Sequence, residues 1–213
     1  SDISVDSPTN NFATMNPLGS PAQSSVITYS EGNLKTAHSG TNLNSSSVAT
    51  MQLPPSGKYY WEVLVTAGGD NYVGVGHNWV EKQNNNDWIF AQGGWSYRYN
   101  GQKYSDGTAN DYGDAFVAGD LIACAVDVDN SKIYFSKNGV WQNSGNPATS
   151  TNPAYTNVTG DNLTIHTAEG SSAAAGFIAN FGQDSSFAGN KTAQGNQDGN
   201  DIGDFYYTPP TGF

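Results

Sequence analysis

The stretch GDLIACAVDVDNSKIYFSKNGVWQNSG, residues 119–145, contains two apolar runs, 121–129 and 132–137, joined by the polar residues DNS. In both runs the side chains alternate with a period of two. Successive side chains of a β-strand leave opposite faces, so this period predicts two strands. The DNS connection suits a hairpin, and Asn138-Gly139 supply a second turn in which positive φ is tolerated. The stretch therefore predicts a β-hairpin with one buried face.

The rest of the chain favours an all-β fold. Glycine is abundant, with 25 residues, and strong helix formers are scarce. Short strand-like segments separated by turn residues predict an antiparallel two-sheet β-sandwich. Beyond the hairpin, the predicted strands comprise two or three in 26–53, then 57–66, 71–77, 95–99 followed by Tyr104, NLTIHTA at 162–168, 176–182 and a last one at 204–213.

Charge excludes some classes of partner. The net charge is −11, and Arg98 is the only arginine among the 213 residues. Nucleic-acid binding needs clustered Lys and Arg, so we expect no nucleic-acid partner. The same deficit argues against an anionic membrane surface, and no apolar run approaches the ~20 residues of a membrane span. We therefore expect no membrane insertion.

The order of motifs resembles the SPRY (B30.2-type) family. Five motifs follow one another as in that family: GKYYWEV, a VGVG strand, an aromatic ladder with GQKY, the run YGDAFVAGDLIACAVDVDNSKIYFSKNGVW and finally ANFG. The resemblance covers about 55–182 and implies a curved, concanavalin-like sandwich that binds partners through loops at one end. It carries no catalytic residue. We expect one domain over 1–213, in which N- and C-terminal strands complete the sandwich, although 142–176 is longer than the usual link.

The terminal extensions are similar to virion structural proteins of tailed bacteriophages. We therefore predict a non-catalytic virion module on the particle surface, in a tail fibre, tail or capsid decoration. Its partners would be a host-surface glycan or protein, or neighbouring virion proteins, and a homo-oligomer is compatible with a fibre origin. A free SPRY adaptor that binds a short peptide is the alternative, and a polysaccharide-degrading enzyme is a third hypothesis.

Two tryptophans in the polar segment 78–95 are the first candidate ligand-binding residues. An aromatic ring beside amide and carboxylate groups suits a sugar, since it stacks on the pyranose while its neighbours bind hydroxyls. A tryptophan tucked back onto the sheet edge is the equal alternative. This group comprises Trp79, Asn84, Asn85, Asn86, Asp87, Trp88 and Gln92, and weaker candidates are Tyr104, Asp106, Tyr112 and Trp141.

Other conspicuous residues have structural interpretations. Trp61, Tyr97 and Tyr99 have strand spacing, and we expect them and Cys124 to lie in the core. Gly74 and Gly76 leave room for a large ring, which we assign to the preceding strand.

Two aspartates of the hairpin stretch could in principle bind a metal. The run DVDNSK, which contains Asp127 and Asp129, lacks the Gly and Glu of an EF-hand. We therefore expect both side chains to accept N–H bonds at the hairpin turn. No metal site is predicted.

No enzyme motif emerges. G-x-S-x-G, a Walker loop, H-E-x-x-H and C-x-x-C are missing, and His38, His77 and His166 have no evident Ser or Cys partner. The four glutamates, Glu31, Glu62, Glu81 and Glu169, are isolated, whereas retaining glycosidases need a close carboxylate pair. We expect no catalytic residue and no cofactor.

Overall fold

The computed structural model describes residues 11–19, 27–39, 45–77, 90, 93–170 and 174–213, and in these ranges the chain forms thirteen β-strands. A short 3-10 turn, Gln142–Ser144, follows the eleventh. The strands are β1 (Ile27–Ser30), β2 (Lys35–His38), β3 (Ser45–Gln52), β4 (Lys58–Ala67), β5 (Asn71–His77), β6 (Gly94–Arg98), β7 (Gln102–Ser105), β8 (Thr108–Asp111), β9 (Leu121–Asp127), β10 (Lys132–Lys137), β11 (Val140–Trp141), β12 (Leu163–Glu169) and β13 (Ala175–Asn180).

The described strands pair into two antiparallel sheets. The seven-stranded sheet has the order β1-β2-β13-β4-β9-β10-β11, and the six-stranded sheet has the order β3-β12-β5-β6-β7-β8. Strands that are distant in sequence pair within each sheet, as β13 does with β4 and β12 with β5. The predicted all-β antiparallel sandwich is confirmed.

The predicted hairpin is formed by β9 and β10, with both of its predicted turns. Ile133 pairs with Val126 and Phe135 with Cys124, and these inward side chains lie in the core between the sheets. At the second turn, Asn138 has a φ of 49° and Gly139 one of 82°. The positive φ values match the turn type that the Asn-Gly pair favours.

The first turn of the hairpin is held by its aspartates. Asp127 Oδ1 accepts a hydrogen bond of 3.0 Å from the backbone N–H of Asn130, and its Oδ2 lies 3.4 Å from Lys58 Nζ. Asp129 Oδ1 accepts one of 3.0 Å from the backbone N–H of Gly57. The prediction that both side chains accept N–H bonds at this turn is confirmed.

The second face of the hairpin is also buried, so the expectation of one buried face was wrong. Leu121 is 1% exposed and packs with Leu64, Ile178 and Phe187 on the outer side of the seven-stranded sheet. Phe187 belongs to the C-terminal segment (184–213), which covers this outer side. A strand covered on both sides no longer needs polar residues on either face.

The predicted last strand at 204–213 was wrong. In this stretch Phe205 forms one isolated bridge, to Asn196. The next two backbone N–H groups, of Tyr206 and Tyr207, donate to the side chain of Glu62 instead of to a neighbouring strand. Pro209 and Pro210 then supply no N–H at all, so no ladder can continue.

The predicted core residues divide into confirmed and wrong cases. Trp61, Tyr97 and Cys124 are at most 1% exposed and belong to the core between the sheets. Tyr99 is 37% exposed, because β6 ends at Arg98 and the chain turns there. At Gly74 the space is taken by backbone and not by a ring of the preceding strand, since the atom nearest to a Cβ at this position would be the carbonyl oxygen of Trp95 on β6.

Within the ranges that the structure describes, no helix is long and apolar enough to cross a bilayer.

Candidate functional site

Three aromatic side chains meet on the outer side of the six-stranded sheet and are called here the ring cluster: Tyr72, Phe90 and Tyr104. Val73 and Val75 of β5 point into the core, so Tyr72 points outward. Its ring stacks on Phe90 with centroids 5.9 Å apart and meets Tyr104 of β7 edge-on at 5.6 Å. These arrangements are the favoured aromatic geometries.

An ion pair borders the ring cluster. Arg98 Nε and Nη2 donate to the two carboxylate oxygens of Asp70 at 2.7 and 2.8 Å. The guanidinium carbon lies 5.3 Å from the Tyr72 ring centroid and 5.6 Å from that of Tyr99, within cation–π range. The hydrogen bonds that Arg98 donates to Asp70 raise the pKa of Arg98. Burial, followed by the charge of Asp70, raises the pKa of Tyr72. The pair thus fixes the guanidinium against the rings.

A buried histidine lies beside the same cluster. The His166 ring on β12 meets Phe90 edge-on at 6.3 Å, and the residue is 3% exposed. Burial, with a smaller contribution from His77, lowers the pKa of His166 to about 3. The imidazole is therefore neutral at physiological pH. Within the described part of the chain, neither of its nitrogens has a hydrogen-bond partner, and the same holds for Ser46 Oγ on the adjacent β3.

Of the predicted site residues, Tyr104 of β7 is a member of the ring cluster, and Asp106 lies two positions further along the chain. Asp106, in the turn between β7 and β8, accepts a hydrogen bond of 2.7 Å from the backbone N–H of Gly93. This bond ties the β7–β8 turn to the residue that precedes β6. Asp106 is thus hydrogen-bonded to a residue of the polar segment 78–95, in which the first candidates were predicted.

The other described candidates lie elsewhere. Tyr112 is 8% exposed and packs edge-on against Tyr97 at 5.5 Å, in the core. Its hydroxyl accepts a hydrogen bond of 3.3 Å from the backbone N–H of Phe135, which is a structural role. Trp141 pairs with Ser136 at the edge of the seven-stranded sheet. Seven candidates lie outside the described residues: Trp79, Asn84, Asn85, Asn86, Asp87, Trp88 and Gln92.

Sequence reasoning missed Asp70, Tyr72, Phe90 and Arg98. One signal was available, because Arg98 is the only arginine of the chain and directly follows the ladder residue Tyr97. The pairing of Arg98 with Asp70 could not be foreseen, since 28 residues separate them. A metal centre gains no support either, because no three His, Cys, Asp or Glu side chains converge within the described ranges.

The model of the SPRY domain family matches residues 58–183, which confirms the predicted resemblance over 55–182. Ran-binding protein 10 of Danio rerio is 33% identical over 135 residues, and Ran-binding protein 9 of Homo sapiens is 35% identical over 135. Both alignments cover 54% of this chain, and they cover 20% and 17% of those proteins. The chain thus matches about a fifth of their length.

Solved structures show the same fold. The SPRY domain of human HERC1 aligns with a TM-score of 0.59 at 20% identity, over 78% of this chain and 96% of that one. Stonustoxin aligns with a TM-score of 0.59 at 16% identity, over 79% of this chain and 27% of that one. The family match covers more than half of the 213 residues. This chain therefore belongs to the SPRY domain family, whose domains are protein–protein interaction modules.

Proposed function

We propose that this SPRY domain binds a short segment of a partner protein across the outer side of the six-stranded sheet. The observation that supports the proposal is the ring cluster next to the Arg98–Asp70 pair, on a surface away from the sandwich core. Aromatic and arginine side chains dominate the binding energy of protein interfaces. The proposal follows the adaptor alternative of the sequence analysis.

The surface combines a rigid base with accessible groups. Tyr72 is 2% exposed and Phe90 is fully buried, whereas the side chain of Arg98 is 23% exposed and Tyr104 is partly exposed. The buried rings hold the accessible ones in place, so little conformational entropy would be lost when a segment binds. Arg98 also keeps guanidinium N–H groups beyond the two that it gives to Asp70, because a guanidinium has five.

The names of two relatives suggest a first partner to test. Those proteins are called Ran-binding, and the SPRY family match over residues 58–183 contains the ring cluster and Arg98. Ran is therefore a suitable first protein to assay, alongside unbiased peptide libraries. The identity of the partner is open in this proposal, and its chemical class is a protein segment.

The virion hypothesis stays a prediction, and so does its location on the particle surface. Its glycan site depends on Trp79 and Trp88, which lie outside the described residues, and the relatives named above are animal proteins. Binding of the chain to a glycan array tests the glycan site against the peptide proposal. Specific binding to a glycan that disappears in Trp88→Ala would favour the sugar site over the protein segment.

We also propose that the chain is not an enzyme, in line with its family. Hydrolysis of polysaccharide is the measurable alternative. Release of reducing sugar that disappears when one of the glutamates is replaced by glutamine would contradict this part of the proposal.

The binding proposal is tested with a displayed library of random peptides selected on the wild-type chain. Binding of each enriched peptide is then measured by fluorescence polarisation for wild type, Tyr104→Ala and Arg98→Lys. We expect each variant to weaken binding about tenfold or more. Tyr104→Ala removes an aromatic ring from the surface, and the lysine of Arg98→Lys cannot make the bidentate contact with Asp70. Tyr206→Ala, in the C-terminal segment, is the matched control and should bind like wild type. Equal affinity of all four proteins would contradict the proposal.

A further inference from the structure

A cleft of about 830 Å³ opens at one end of the sandwich, where β3 ends and β12 begins. This end cleft lies between the 53–55 segment, the β9–β10 turn and residues 158–163. Its apolar lining consists of Leu53, Pro54, Pro55, Val128, Val158 and Leu163. Val158 and Leu163 are at most 3% exposed and form the floor, whereas the two prolines are exposed and form a rim.

Backbone hydrogen bonds join the walls of the end cleft to one another. The N–H of Leu53 donates to the carbonyl of Leu163 at 2.7 Å, and that of Val158 donates to the carbonyl of Ser131 at 3.0 Å. The N–H of Val128 donates to the carbonyl of Gly57 at 3.0 Å. The cleft is therefore formed before any ligand arrives, as small binding sites usually are.

The charge of the end cleft is negative. Among the described residues that line it, Asp161 is exposed and carries the one formal charge. Asp129, also exposed, lies in the adjoining β9–β10 turn. The nearest lysines are engaged elsewhere, since Lys58 pairs with Asp127 and Lys132 Nζ contacts the carbonyl oxygen of Ser150. A cation is therefore the complementary charge, and the net charge of −11 attracts it over a longer range.

We propose that the end cleft is a second docking site, which takes an extended protein segment with an apolar side chain next to a lysine or arginine. The apolar side chain fills the space above Val158 and Leu163, and the basic group approaches Asp161. Gln52 and Asn162 also line the cleft and carry amides that can bond to the backbone of such a segment. None of these residues belongs to the ring cluster, so this proposal does not rest on the proposed function.

The first experiment measures affinity with a defined pair of probes. One peptide is Ac-Gly-Leu-Pro-Leu-Arg-Lys-Gly-amide with a fluorescent label, and its partner replaces Arg and Lys with Glu. We expect the basic peptide to bind by fluorescence polarisation and the acidic one to bind at least about tenfold more weakly. Raising the salt concentration from about 50 to about 500 mM should weaken the binding of the basic peptide, because exposed charges are then screened.

Three substitutions locate the interaction. Asp161→Lys should lower the affinity for the basic peptide by about threefold or more, since an attraction is replaced with a repulsion at an exposed position. Asp111→Lys is the matched control, because it makes the same charge change at an exposed position of β8, and it should leave the affinity within about twofold. Tyr104→Ala, in the ring cluster, should also leave this affinity unchanged, which separates the two proposals.

Chemical shifts give an independent measurement on the wild-type chain. In ¹H–¹⁵N spectra, the basic peptide should shift the amides of 128–131 and 158–163. Shifts confined to strands β5 to β7, equal binding by Asp161→Lys, equal binding of the two peptides, or no measurable binding would each overturn the proposal.

Discussion

The carboxylate of Glu62 on β4 accepts a hydrogen bond of 2.7 Å from the backbone N–H of Tyr207, which lies 145 positions further along the chain. The N–H of Tyr206 donates to the other oxygen at 2.8 Å, and Tyr60 Oη and Asn180 Nδ2 donate as well. Glu62 is fully buried, and burial raises its pKa despite these four donors. One carboxylate thus fastens the C-terminal segment to the outer side of the seven-stranded sheet.

Replacing this carboxylate should destabilise the fold. In Glu62→Ala four donors lose their acceptor, two of them backbone N–H groups, and we expect the free energy of unfolding to fall by about 3 kcal/mol. Urea denaturation followed by tryptophan fluorescence measures the change. Asp111→Ala, on the exposed strand β8, should change it by less than about 0.5 kcal/mol. Equal stability of the two variants would show that Glu62 is not the fastening point.

The C-terminal segment should also contribute through Phe187. This side chain is 1% exposed and packs with Leu64, Leu121 and Ile178. Phe187→Ala leaves a cavity there, and a loss of about 3 kcal/mol in the free energy of unfolding is expected. Val140→Ala removes an apolar side chain that is 66% exposed and should have almost no effect. A Phe187→Ala protein with the wild-type urea midpoint would contradict the packing.

Acid should destabilise the protein through two buried histidines. Burial lowers the pKa of His38 to about 4 and that of His166 to about 3, whereas the ordinary value is 6.5. As the pH falls below about 6.5, the unfolded chain takes up these protons while the folded chain does not, so stability is lost until the folded pKa is reached. When the pH falls from 7 to about 4.5, we expect each histidine to lower the free energy of unfolding by about 2 kcal/mol.

The variant His166→Leu isolates one of the two contributions. It should lose about 2 kcal/mol less than wild type over this pH range, as measured by urea denaturation at each pH. Between pH 7 and pH 8 both proteins should keep a constant difference in stability. The same loss of stability on acidification in both proteins would rule out His166 as the source.

Close strand packing should make Gly74 intolerant of a side chain. A Cβ there would meet the backbone of Trp95 and Ser96, which cannot move without separating β5 from β6. We expect Gly74→Ala to lower the free energy of unfolding by about 2–4 kcal/mol. Gly68→Ala is the matched control, because its Cβ would meet nothing within 4 Å. The two melting temperatures decide the question, and equal values would contradict this view of Gly74.

Much of the secondary structure was predictable because its causes are local. The alternation around Cys124 and the Asn138-Gly139 turn lie within one short stretch, and backbone preference depends on adjacent side chains. The charge and the single arginine also narrowed the partner classes without any coordinates. These local features were therefore enough to predict the all-β class, the hairpin and the SPRY resemblance.

The covered surfaces and the contacts between side chains, by contrast, depend on segments that are far apart in the sequence. Whether the second face of β9 is buried depends on Phe187, more than sixty positions after Leu121, and no local pattern carries that information. The meeting of Tyr72 and Tyr104 likewise depends on the pairing of β5 and β7 with β6, and Phe90 reaches them from outside the strands. Contacts between distant segments depend on how the whole chain packs. The ring cluster and the end cleft could therefore be identified only from the three-dimensional structure.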